Sequence, residues 1–142
     1  MVQLQTDKPL AAPQVVALVD DEVQIAQALQ ALLSFKGIAS SVHDRAESLL
    51  EALQVQDGQL VLPGPDGVPA VLQAVVLDMN LPGMSGADLV LALRRLQPQL
   101  RMVMITAALD EKLQERAHDL QGVTVLAKPF TLESLESALQ VA

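Results

Sequence analysis

Short, nearly unbroken apolar runs alternate with longer amphipathic ones along this chain, and the alternation repeats five times. Val15 to Val19 is β-rich and almost continuous, as a strand buried on both faces should be. Val23 to Lys36 then carries Ala26, Leu29 and Leu33 at helical spacing and stops at Gly37. Ile38 to Val42 reads as a second strand, weakened by its serines. Ala46 to Leu53 reads as a helix with Asp44 as N-cap. Val75 to Leu77 is a third strand, followed by a helix over Gly86 to Leu96 that ends before Pro98. Met102 to Ile105, a helix over Glu111 to Leu120, Val123 to Leu126 and a helix over Leu132 to Gln140 complete the series. Thr131, with Ser134 three places on, suits the N-cap of the last helix. Strict strand–helix alternation predicts an α/β fold, a parallel sheet with helices on both faces. Functional groups in such folds gather at the carboxyl ends of the strands.

One stretch breaks the alternation. Gln54 to Ala70 holds Asp57-Gly58, Pro63-Gly64-Pro65 and Asp66-Gly67, with Gln59-Leu60-Val61-Leu62 and Val68-Pro69-Ala70-Val71 flanking the turns. A β-hairpin insertion fits this pattern, and a disordered loop is the alternative. The full length, 142 residues, suits one domain with a substantial core. That core must be aliphatic, because Phe35 and Phe130 are the only aromatic residues.

Charge narrows the function. Nine basic residues face 17 acidic ones, a net charge of −8. Nucleic acid and anionic membranes need a basic footprint, so neither is expected as the direct ligand. No apolar run approaches the roughly 18 residues of a membrane span. Met1 to Pro13 reads as a polar N-terminal extension without a signal-peptide core, so a cytoplasmic location is expected. Cysteine is absent, which excludes disulfides and thiolate sites. His43 and His118 lack sequence partners and read as surface residues. No phosphate-cradling glycine motif for a nucleotide is present.

The strand ends carry the chemistry. The first strand ends in Asp20-Asp21, the third in Asp78, the fourth in Thr106 and the fifth in Lys128. Each is weak evidence singly. Asp20-Asp21 suits a helix N-terminus, Thr106 is an ordinary strand-end residue, and Lys128-Pro129 is an ordinary loop. On one rim they mean more. Crowded carboxylates repel unless a cation sits among them. Oxygen ligands without His or Cys favour a hard ion, Mg²⁺ above all. A lysine and a hydroxyl facing the same point suit a phosphoryl group, with a carboxylate as its acceptor.

These residues resemble the receiver domain of two-component response regulators. The resemblance runs from Gln14 to Ala142, and is carried by Val19-Asp20-Asp21-Glu22, the run Asp78-Met79-Asn80-Leu81-Pro82-Gly83-Met84-Ser85-Gly86, Thr106-Ala107 and Lys128-Pro129-Phe130. It implies a doubly wound, flavodoxin-like five-stranded parallel sheet in the order 2-1-3-4-5, an order for which a receiver protein is a standard example. It also implies that Asp78 is the phosphoacceptor, with Mg²⁺ held by Asp20, Asp21, Asp78 and the backbone carbonyl of Asn80. Thr106 would be the switch hydroxyl and Lys128 the phosphate-pairing lysine, joined to Pro129 through a cis peptide. The expected partner is a histidine kinase or phosphotransfer protein. The output partner is not named by the sequence, and a homodimer is left open. Beyond Leu132 only one short helix is expected, so the chain is either a stand-alone receiver or part of a longer protein.

The chain departs from the family pattern twice. Receivers usually carry an aromatic residue three places before the lysine, and its rotation accompanies the threonine's movement; here that place is Val125. The insertion at 54–70 is the second departure, and it is expected on the rim opposite the acidic residues. The expected function is a signalling switch with only self-catalysed phosphotransfer and dephosphorylation, not an enzyme. Two other readings use the same residues. A haloacid-dehalogenase-type phosphohydrolase would want an acid where Asn80 stands, and a phosphorylation-independent interaction module would use the insertion.

Overall fold

The structure is a computed structural model, and it describes residues 13–64, 67–107, 115 and 122–140. The apolar runs form the strands they predict. β1 (Gln14–Val19), β2 (Ser40–His43), β5 (Pro69–Asp78), β6 (Arg101–Thr106) and β7 (Val123–Ala127) make a parallel sheet in the order β2-β1-β5-β6-β7. This is the expected 2-1-3-4-5 order. The helices are α1 (Val23–Phe35), α2 (Ala46–Ala52), α3 (Gly86–Leu96) and α4 (Leu132–Gln140). Of the helix expected over Glu111 to Leu120, Glu115 alone is among the described residues, and it is helical; His118 lies outside them. So do nearly all of the N-terminal extension and most of the loop that follows Thr106 lie outside them.

The insertion is a β-meander. β3 (Gln54–Gln56) and β4 (Gln59–Pro63) pair antiparallel around Asp57-Gly58, where both residues have positive φ, 51° and 77°. A two-residue turn with both φ positive matches the right-handed twist of its strands, and Asp-Gly supplies it at little cost. β4 then pairs antiparallel with β5 from Val61↔Val71 to Pro63↔Pro69. The third strand is therefore longer than its apolar core predicts. It spans ten residues, with β4 along the first part of one edge and β6 along the last part.

Two aliphatic layers cover the sheet. Leu49 of α2 and Leu89 and Leu93 of α3 pack on one face against Leu77, Met102, Met104 and the meander residues Leu60 and Leu62. Leu33 of α1 and Leu135 and Leu139 of α4 pack on the other, against Leu18, Val76 and Val103. Each such side chain contributes roughly 1.5–3 kcal/mol through burial. Neither aromatic residue is a core residue: Phe35 is 87% exposed, and Phe130 packs at the margin of the second layer.

Local signals behave unevenly. Gly37 (φ +79°) closes α1. Thr131 and Ser134 cap α4 reciprocally, each backbone N–H donating to the other's hydroxyl at 3.2 and 3.0 Å. Asp44 does not cap α2. Arg45 holds that position without a side-chain bond, and Asp44 Oδ1 accepts the Ser48 hydroxyl instead.

Candidate functional site

The strand register brings the site together. Val19 pairs with Leu77 and Asp78 with Ile105, while Thr106 pairs with Ala127. Asp20, Asp78, Thr106 and Lys128 therefore leave the sheet on one rim, on strands about 4.8 Å apart. Carboxylate oxygens of Asp20, Asp21 and Asp78 all lie within 4.8 Å of one another. Asp78 is 9% exposed, Asp20 is half-buried and Asp21 is exposed. An all-oxygen donor set at this spacing fits a hard divalent cation.

Asp78 is held at both oxygens. Oδ1 accepts the Asn80 N–H at 2.8 Å, and Oδ2 lies 3.4 Å from Lys128 Nζ. The Lys128 N–H donates to the Thr106 carbonyl at 2.8 Å, which ties the lysine to the end of β6. Thr106 is itself buried, 3% exposed. The Lys128–Pro129 peptide is cis, as expected. Behind Asp78, the start of α3 presses on the end of β5. A Cβ on Gly86 would stand 2.8 Å from the Asp78 carbonyl oxygen and 3.1 Å from Met79 Cα. Glycine is thus required where Ser85 begins the helix and caps Asp88 N–H.

The cluster is electrostatically loaded. Burial raises the Asp20 carboxyl above its ordinary pKa, and the neighbouring charges of Asp78 and Asp21 add to the rise. The Glu22 N–H, donating to Asp20 Oδ1 at 2.9 Å, and the Lys128 charge oppose it. Desolvation and like charge act in one direction here, and a bound cation would reverse it.

Two side chains have partners that sequence did not reveal. His43 is not a free surface residue: it is half-buried, with Nε2 2.8 Å from Ser41 Oγ. Burial lowers its imidazole pKa, partly offset by Asp44. An i, i+2 pair on one face of a strand is the signal that could have found this contact. Glu47 of α2 accepts the Met84 N–H at 3.1 Å, across 37 residues of sequence, and no local pattern announces it. Val125 stands half-buried in β7, beside Met104 and against the α2–α3 layer.

The family model of the response regulator receiver domain matches residues 16–140. The chain belongs to this family. Among curated relatives, the transcriptional regulatory protein FixJ of Azorhizobium caulinodans is 26% identical over 127 residues, 89% of this chain and 54% of that protein. PdtaR of Mycobacterium tuberculosis, also a transcriptional regulatory protein, is 29% identical over 139 residues, 96% of this chain and 60% of that one. This receiver domain thus spans little more than half the length of those relatives. A response regulator receiver protein from Pseudomonas putida shares the fold at a TM-score of 0.74, with 24% identity over 92% of this chain and 98% of that one. Among the described residues, no helix of the receiver is long and apolar enough to cross a membrane.

Proposed function

We propose that this receiver accepts a phosphoryl group on Asp78 from a phosphohistidine of a histidine kinase or phosphotransfer protein. The observation that carries the reading is the setting of Asp78, with its oxygens engaged by Asn80 N–H and Lys128 Nζ beside two further carboxylates. An Asp78 oxygen attacks phosphorus while the donor's phosphorus–nitrogen bond breaks, and its electron pair returns to the imidazole nitrogen. Lys128 then pairs with a phosphoryl oxygen, and the Thr106 hydroxyl donates a hydrogen bond to another. Asp20, Asp21, Asp78 and the Asn80 carbonyl are the groups that would hold Mg²⁺. When bound, the ion neutralises charge on the phosphoryl oxygens. Hydrolysis by water returns Asp78 and inorganic phosphate, so the domain acts as a self-resetting switch and not as an enzyme with a separate substrate. Membership of the receiver family and relatives named as transcriptional regulators support a role in two-component signalling.

The test is to incubate the protein with acetyl phosphate and Mg²⁺ and locate the adduct by mass spectrometry. One phosphoryl group on the peptide containing Asp78 is expected. An adduct on Asp20 or Asp21 with Asp78 free, or no adduct at all, would overturn the assignment.

A further inference from the structure

The loop between β5 and α3 is anchored from outside the acidic cluster. Glu47 lies in the first turn of α2, and its Oε2 accepts the Met84 N–H at 3.1 Å. Gly83, beside Met84, has φ +70°, and a Cβ there would sit 2.6 Å from the same carboxylate oxygen. The glycine thus leaves the space into which the carboxylate fits. Oε1 of Glu47 is buried and has no hydrogen-bond partner among the described residues. A half-buried acid whose buried oxygen is unpaired is a poor choice for helix packing alone, since burying a polar atom without a partner is costly. Its evident use is the bond it makes to the loop.

That loop begins at Asp78. Met79 N–H is fixed to the Ile105 carbonyl at 2.8 Å, and Asn80 N–H to Asp78 Oδ1 at 2.8 Å. Glu47 secures the far half of the same loop, four residues beyond Asn80. Groups that orient a ligand from outside the site set how well the site holds its ion.

We propose that Glu47 is a positioning residue for cation uptake at the Asp20–Asp21–Asp78 cluster, acting by pinning the loop that carries Asn80. The inference rests on the cation site described under the proposed function. Glu47 is not one of the clustered carboxylates, so its effect would pass through the loop backbone. α2 leads into β3 through Leu53 alone, so the same contact joins the loop to the helix that carries the meander.

The test uses the full chain, Glu47→Ala and Glu47→Gln, with each variant's melting curve recorded first and all binding measured well below the midpoints. Amide exchange at Met84, without Mg²⁺ or phosphodonor, reads the anchor itself. Calorimetric titration with Mg²⁺ reads its consequence. Glu47→Ala should speed Met84 exchange about fivefold, the loss of one ordinary hydrogen bond. It should also weaken Mg²⁺ binding about tenfold, the size typical of losing a group that orients a ligand. Glu47→Gln keeps an acceptor oxygen without the negative charge and should restore both values, which an effect of charge alone would not do. Unchanged Mg²⁺ affinity in Glu47→Ala, with the unmutated protein binding normally, would overturn the positioning role and leave the site reading intact. Failure of the unmutated protein to bind Mg²⁺ would overturn the site reading and the positioning role with it, whatever Met84 exchange showed.

Discussion

The two ends of β5 belong to one strand and serve opposite purposes. At Pro69–Val71 the strand pairs with β4, and Leu60, Leu62, Ala70 and Leu72 are buried around it. At Asp78 it ends in a buried carboxylate facing Asp20, Asp21 and Lys128. The first end gains free energy from apolar burial without burying charge. The second pays desolvation and like-charge repulsion, visible in the raised Asp20 carboxyl. Seven residue steps, from Val71 to Asp78, separate them, about 23 Å at roughly 3.3 Å per residue. Stabilising contacts can therefore be added to one rim of the sheet without touching the arrangement of the other.

A reciprocal pair of substitutions should break this division if it is wrong. Leu62→Ala removes a fully buried side chain from the meander and should cost about 2–5 kcal/mol in urea unfolding. Phosphoryl uptake, measured where the variant is still folded, should match the unmutated protein. Asp78→Asn should do the reverse. It abolishes uptake, and it keeps or raises the unfolding midpoint because one of three crowded carboxylates is gone. A Leu62→Ala protein that is folded but accepts no phosphoryl group would show that the two rims are coupled.

Cation binding sharpens the same contrast with a smaller effect. At Mg²⁺ about 100 times its dissociation constant, stability should rise by about 2.7 kcal/mol through mass action. Asp21→Ala should remove that gain. Leu62→Ala should leave it unchanged, since sites this far apart are additive within a few tenths of a kcal/mol. Unfolding curves with and without Mg²⁺, in the unmutated protein and both variants, supply the comparison. No Mg²⁺ effect on the unmutated protein would contradict the cation site.

The rims also differed in how legibly sequence described them. Asp20, Asp78, Thr106 and Lys128 could be placed because each stands at the end of an apolar run whose strand character is unambiguous. Parallel topology then brings strand ends together whatever the intervening helices do. The meander was half legible. Its turn residues and the apolar run Leu60–Leu62 pointed to a hairpin, but β3 is three residues long with one apolar side chain, Val55, which is exposed. Periodicity over three residues carries almost no signal. The backward extension of β5 was hidden for a related reason, because Pro69 and Gln73 interrupt its apolar pattern. Glu47 and the Ser41–His43 pair were missed because their roles depend on packing between elements or on which face of β2 is covered.

The smallest expected effect concerns β7, which reaches the acidic rim but lacks the aromatic residue that the family usually has there. Val125 is half-buried, paired with Met104 and packed against the α2–α3 layer. A β-branched side chain has one stiff torsion and no ring to swing into space vacated by a moving threonine. The hydrogen bond that would draw Thr106 toward a phosphoryl oxygen is local and charge-assisted, and it does not depend on Val125. Response to a beryllofluoride phosphoryl mimic should therefore centre on the loop from Asp78 to Gly86 and on Thr106–Ala107. Amides of Val123–Ala127 and of α4 should change little, and those of β3 and β4, on the far rim, not at all. Hydrogen exchange with and without the mimic measures all of these segments in one experiment. Strong new protection across Val123–Ala127 and α4 would mean that the switch runs through this strand without an aromatic ring. The contrast between a reactive rim and a structural one would then extend along the whole of β7.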